Sequence, residues 1–123
     1  MSTVLENINK LIENAKSDET SRFYLNVIRV LSSYYGVLWI SELYGDLIKF
    51  YSVFEWEPDF DLAKVEKAVT ELERMGLVDV EERFKATFSK EPRKEKFVRL
   101  SNMEETLNAL KGDEILNKFL NRF

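Results

Sequence analysis

Neither cysteine nor histidine occurs in this chain of 123 residues. Without thiols there are no disulfides and no thiolate metal site. Without imidazole the commonest zinc ligand and the commonest general base are missing, and nucleophilic triads lose their base. No metal and no other cofactor is expected. Glycine occurs four times, at Gly36, Gly45, Gly76 and Gly112, too widely spaced to form a phosphate-cradling loop. Carboxylates are numerous but fall at helical surface spacings, and no pair stands out as an acid–base couple. An enzyme is therefore not expected. No apolar run approaches membrane-spanning length, and no signal-peptide pattern opens the chain. These absences predict a cytoplasmic protein without a membrane partner.

What is present suits one modest core. Apolar residues make up 45% and aromatics 13%, enough for the chain to fold as a single domain over 1–123. The net charge of −4 argues against a protein that simply coats nucleic acid. That average hides an asymmetry. Between Arg83 and Lys96 stand six cations and two acids, a local +4 that leaves −8 on the remainder. A basic segment on an acidic body suggests a local anion-binding surface.

The stretch from Asp61 to Val78 organises the rest. Leu62, Val65, Val69 and Leu72, widened by Ala68 and Met75, form one apolar stripe on a helix. Asp61 suits its N-cap. Gly76 suits a left-handed ending, with Leu77 folding back on Leu72. Beyond Gly76 the period changes to that of a strand. Val78, Val80, Phe84, Ala86 and Phe88 alternate with polar residues, and Glu82 is the one polar residue out of phase. Opposite the helix stripe lie Ala63, Lys67, Thr70 and Arg74, flanked by Lys64 and Glu71 on one side and Glu66 and Glu73 on the other. Such a ridge is either a recognition surface or an ordinary solvated face.

The other elements read in order. Thr3 and Glu6 fit a capping box for a helix over 2–16 with Val4, Leu5, Ile8, Leu11, Ile12 and Ala15 on one stripe. It is expected to be a dimer arm rather than a helix packed on its own domain. A second helix runs to about Tyr35, with Phe23, Val27, Ile28, Leu31 and Tyr34 on its core side, and Gly36 ends it. Val37 to Ile40 leans to strand. Ser41 is expected to cap a third helix carrying Leu43, Leu47, Ile48, Tyr51 and Phe54. The connection over 54–60 is aromatic and acidic, and Pro58 disfavours helix at Glu57. Trp56 and Phe60 read as local core, or as anchors for a protein partner.

The ribbon continues to about Phe88. Its polar tip spans 89–95, with Pro92 against regular pairing, and the return strand is 96–100. Ser101 and Glu104 fit a capping box for a short helix with Met103, Leu107 and Leu110, and Gly112 ends it. Asp113 caps a last helix with Ile115, Leu116, Phe119, Leu120 and Phe123 on one side.

The order helix, strand, helix, helix, strand, wing, strand over 23–101 resembles the winged-helix superfamily. The stretch VTELERMGLV over 69–78 looks like the end of a recognition helix turning into a wing. With one helix before that core and two after it, the layout is similar to the multiple-antibiotic-resistance regulator (MarR) family. Such wings often carry an Asp-x-Arg where this chain has Pro92, Arg93 and Lys94. The expected fold class is thus α+β, mostly helical: a winged helix-turn-helix core over 19–101 with an extra N-terminal helix and two C-terminal helices over 102–123.

The resemblance implies a homodimeric, sequence-specific binder of double-stranded DNA that regulates transcription. Its recognition helix, 62–75, would enter the major groove, and its wing, 83–96, would meet phosphates or the minor groove. The candidate DNA contacts are Lys64, Lys67, Thr70 and Arg74 on the helix, and Arg83, Lys85, Lys90, Arg93, Lys94 and Lys96 on the wing. The candidate dimer contacts are Leu5, Ile8, Ile12, Leu116, Phe119 and Phe123. The alternative is a protein-contact module in a larger assembly, using the turn 54–60 with Trp56 and Phe60.

Overall fold

A computed structural model of the chain describes residues 3–85 and 93–122. The described elements are α1 (Val4–Ala15), α2 (Glu19–Ser33), β1 (Val37–Trp39), α3 (Ile40–Val53), α4 (Leu62–Arg74), β2 (Val78–Lys85), β3 (Arg93–Leu100), α5 (Met103–Ala109) and α6 (Glu114–Leu120). The fold is α+β and mostly helical. Its three strands form one antiparallel sheet in the order β1-β3-β2. The expected continuation of the ribbon to Phe88, the tip with Pro92, and Phe123 lie outside the described residues.

Short polar residues begin the helices, as their side-chain oxygens can accept orphan amide protons. Thr3 accepts from the Glu6 amide, Asp18 from Ser21, Asp61 from Lys64 and Asp113 from Leu116. Two starts differ from expectation. Ser41 does not cap α3, which begins at Ile40, where the Glu42 carboxylate accepts from the Trp39 amide at 3.1 Å. Asn102, not Ser101, caps α5.

α2 is the hub. Its expected core side was one stripe, but burial runs unbroken from Leu25 to Ser32 because α1, α3, α4, α5, α6 and β3 all pack against it. Asn26, Arg29 and Ser32 are therefore buried with the aliphatics, and each must be hydrogen-bonded inside the protein. The Ser32 hydroxyl donates to the Ile28 carbonyl, a bond within the helix itself. Arg29 meets Asp113 of the α6 cap at 2.8 Å, with side chains only 8% and 10% exposed. Its Nη1 also donates to Asn26 Oδ1. On α3 the core is Leu43, Leu47, Phe50 and Tyr51; Ile48 is exposed, and Phe54 only packs against the core edge. Phe50, unremarked in the sequence, is fully buried against Phe119 of α6 at 4.9 Å.

That packing corrects the dimer surface. Ile8, Leu116 and Phe119 are buried within the chain's own core and present no surface to a second copy. α1 lies on α2 and α5 of its own chain, and Ile12 packs at the core edge. Of the expected set only Leu5 is exposed among the described residues.

The α2–β1 turn places two consecutive residues in left-handed backbone, Tyr35 at φ 61° and Gly36 at φ 82°. Glycine adopts this region freely; a tyrosine does so at a cost. Tyr35 recovers little by packing, being 89% exposed.

Two stability outcomes follow. Tyr35→Asn should raise unfolding free energy by about 0.5–1 kcal/mol in urea melts, since asparagine tolerates left-handed backbone. Asp113→Ala should lower it by about 3–5 kcal/mol, because it strands a buried guanidinium and uncaps α6.

Candidate nucleic-acid interface

The helix-to-ribbon junction positions every candidate side chain. α4 ends in a Schellman turn. The Leu77 amide donates to the Leu72 carbonyl and the Gly76 amide to the Glu73 carbonyl, both at 2.9 Å, with Gly76 at φ 75°. Leu72 and Leu77 are both fully buried, which supplies the apolar contact of that motif. Asn7 of α1 donates to the Met75 carbonyl, satisfying another helix-end acceptor. The Glu73 carboxylate accepts from the Val80 amide at the free edge of β2. Helix and ribbon are thereby tied on both sides of the glycine.

The apolar face of α4 is Val65, Ala68, Val69 and Leu72; Leu62, expected on that stripe, is exposed. Lys64, Lys67, Thr70 and Arg74 are all exposed, as the helical spacing requires. Thr70 donates its hydroxyl back to the Glu66 carbonyl. Arg74 is held by Glu71 at 2.8 Å. The hydrogen bond and charge of Arg74 keep the Glu71 carboxyl below its ordinary range, and Glu71 raises Arg74 in return. Lys64 sits over the Phe23 ring at 4.9 Å.

The ribbon is anchored at its base and free further out. Val78, Val98 and Leu100 are buried, while the outer half of β2 is exposed from Glu81 to Phe84. Phe84 shares the face of Val78 and Val80, yet it is 72% exposed, because among the described residues no helix covers the ribbon that far out. The alternation that suggested an inward phenylalanine is present, but the layer to cover it is not.

Register divides the ribbon cations between two faces. Residues paired across the strands share a face. Arg83 pairs with Glu95 and Lys85 with Arg93, on the side of Trp39 and Phe97. Phe84 pairs with Lys94 and Glu82 with Lys96 on the opposite side. The segment expected as one cationic surface is thus two surfaces. Lys90 lies outside the described residues.

On the first face Arg83 and Lys85 are engaged. Arg83 meets Glu81 at 2.7 Å and covers the Phe97 ring at 4.5 Å. Lys85 lies 3.8 Å from Glu95 and over Trp39, which meets Phe97 edge-on at 5.2 Å. Burial raises the Glu95 carboxyl, but hydrogen bonds from Ser41 outweigh it and hold the group below its ordinary range. On the second face Lys94 pairs with Glu82 at 3.2 Å. Lys67, Arg93 and Lys96 form no ion pair among the described residues. Sequence reasoning missed this pattern of self-neutralisation, although the alternation of acids and bases along 79–85 was its signal.

The connection 54–60 separates its two large aromatics. Phe60 is buried among Phe23, Tyr44 and Tyr51, with centroids 5.0–6.0 Å away. Trp56 stacks on Phe54 at 4.7 Å and leans on Phe50 and Tyr51, yet remains 37% exposed. Glu55, at φ 57°, makes the sharp turn that folds Trp56 back, and the Trp56 amide donates to the Tyr51 carbonyl.

Compared with family models the chain matches none, and comparison with curated proteins finds no match either.

The two aromatics should respond differently to truncation. Phe60→Ala removes a core ring and should cost about 3–5 kcal/mol, whereas Trp56→Ala should cost only about 2 kcal/mol. Thermal melts of both variants check the ranking.

Proposed function

We propose that this protein is a winged helix that binds double-stranded DNA, as a transcriptional regulator would. The observation that carries the reading is the junction at Gly76. It fixes α4, with its exposed Lys67, Thr70 and Arg74, directly to a two-stranded ribbon whose outer half projects with cations exposed. The strand order β1-β3-β2, with the hairpin formed by the two last strands, is compatible with that fold. On this reading α4 enters the major groove, where a lysine or arginine can meet guanine and a threonine either base type. Arg93, Lys94 and Lys96 meet phosphates from the ribbon.

The ion pairs do not oppose the reading. Exposed pairs such as Lys94–Glu82 and Arg74–Glu71 contribute only about 0–1 kcal/mol each, so a phosphate can replace the carboxylate. They do tune it, since every such carboxylate repels the backbone that its cation attracts. The second reading, a protein-contact module, is favoured by one observation. Trp56 is partly exposed on an acidic body, and large aromatics of this kind serve as anchors in protein interfaces.

DNA binding is tested by titrating duplex at graded salt. Each phosphate neutralised on B-DNA contributes about 0.9 to the slope of log affinity against log salt. Arg93→Ala with Lys96→Ala should flatten that slope by about 2 and weaken all sequences alike. Glu82→Gln should act the other way, freeing Lys94 and tightening binding. Lys67→Ala should cost about 1–3 kcal/mol on a preferred site and much less on random duplex. If the wild type shifts no duplex at low salt, the DNA reading is wrong. If partner capture is lost with Trp56→Ala while the fold is retained, the second reading replaces it.

A further inference from the structure

A cavity of about 720 Å³ opens between the N-terminal half of α2, the end of α3 with its connection, and the N-terminal half of α4. Its size falls in the range of about 300–1,000 Å³ typical of small-molecule sites. Tyr51 and Asn26, both buried, line its inner end.

A chain of hydrogen bonds sets the polarity of that end. Asp113 holds Arg29, and Arg29 Nη1 donates to Asn26 Oδ1 at 2.8 Å. The amide oxygen is thus turned to the guanidinium, and Asn26 Nδ2 donates to the Tyr51 hydroxyl at 3.2 Å. Tyr51 is the acceptor there. Its own proton has no acceptor among the described residues, so it is available to whatever occupies the cavity. Burial raises the phenol above its ordinary pKa, against the Asn26 bond that lowers it, so the group stays a donor at neutral pH.

The remaining lining sorts into three chemistries. Phe23, Tyr24 and Trp56 supply ring surface. Arg22, Lys64 and Lys67 supply positive charge. Glu19 and Asp59 supply acceptors. A purely apolar guest would strand the charges, and a bare anion would meet the two carboxylates. The lining asks for one molecule with a flat ring, an anionic end and hydroxyl or amine donors.

We propose that this cavity binds a nucleoside monophosphate. The phosphate meets Lys64 and Lys67, which suit it as charge partners, while Arg22, whose Nε donates to the Ala15 carbonyl, adds positive charge nearby. The base lies against Trp56 and Tyr24, where stacking is worth about 1–3 kcal/mol per base. Tyr51 donates to an acceptor on the base, and Glu19 and Asp59 accept from ribose hydroxyls or an exocyclic amine. The proposal does not rest on DNA binding, as the cavity opens within one chain and needs no duplex.

Calorimetric titration tests it without DNA, using the full chain. The probes are AMP, GMP, CMP and UMP, with adenosine and inorganic phosphate as halves of the ligand. At least one mononucleotide should saturate a single site per chain, with adenosine and phosphate each at least about tenfold weaker. Lys64→Ala with Lys67→Ala should weaken binding by at least about tenfold with only a small fall in melting temperature, as both are surface positions and only Lys64 rests on a buried ring. Tyr51→Phe should weaken it several-fold, with retained far-ultraviolet circular dichroism showing that the fold persists. The proposal is overturned if no mononucleotide saturates by about 10 mM. It is equally overturned if inorganic phosphate binds as tightly as the nucleotides, which marks a plain cationic surface, or if the double lysine variant keeps the wild-type affinity.

Discussion

A helix buried on every side from Leu25 to Ser32 constrains the rest of this protein. α2 carries Asn26, Arg29 and Ser32 into the interior along with its aliphatics. A buried guanidinium without a partner is far too costly to keep, and even a paired one contributes little net stability. What the Arg29–Asp113 pair does contribute is position. It pins the start of α6 to α2, and Asp113 also caps α6 through the Leu116 amide. The same guanidinium orients Asn26, and Asn26 orients Tyr51. No buried side-chain nitrogen or oxygen lacks a partner among the described residues, as the low dielectric of a core demands.

The second constraint is the turn at Gly76. A helix must stop and a strand must start within two residues, and only a left-handed residue closes that geometry cheaply. Because Asn7 and Glu73 bond to the two sides of the turn, the ribbon leaves the body in one direction. Its base is held by Val78, Val98 and Leu100, and further out it is held by cross-strand pairs and by Ser41, whose amide donates to Glu95 and whose hydroxyl accepts from Lys85. Two of its cations, Arg83 and Lys94, rest on carboxylates in exposed pairs, which salt screens readily.

These two constraints meet at α4. One end of that helix runs into the ribbon, and the other flanks the cavity next to α2 and Trp56. Lys64 and Lys67 thus belong to the cavity lining as well as to the exposed helix face. In the proposed functions, a guest in the cavity and a duplex on the helix would draw on the same two charges.

Local rules were enough for much of this. The Thr3, Asp61 and Asp113 caps, the Gly76 ending, the helix periods and the strand period after Val78 could all be read from neighbours in sequence, because each depends on bonds spanning only a few residues. The exposed face of α4 was legible for the same reason. What could not be read depends on which layers meet. Phe84 alternates like a core residue and is exposed, because among the described residues no helix extends beneath it. Ile8, Leu116 and Phe119 resemble an unpartnered stripe and are core, because α1 and α6 both close on the central helices. Arg29 looks like a surface residue and is buried, since its partner stands far along the chain. The ribbon cations form a single run in sequence and two faces in space, because the register of β2 on β3 decides which side each takes. The sequence by itself determined where elements begin, end and change period, as those are short-range bonds. Only the tertiary structure decided which faces are covered and which charges are already neutralised, as those depend on groups brought together from distant parts of the chain.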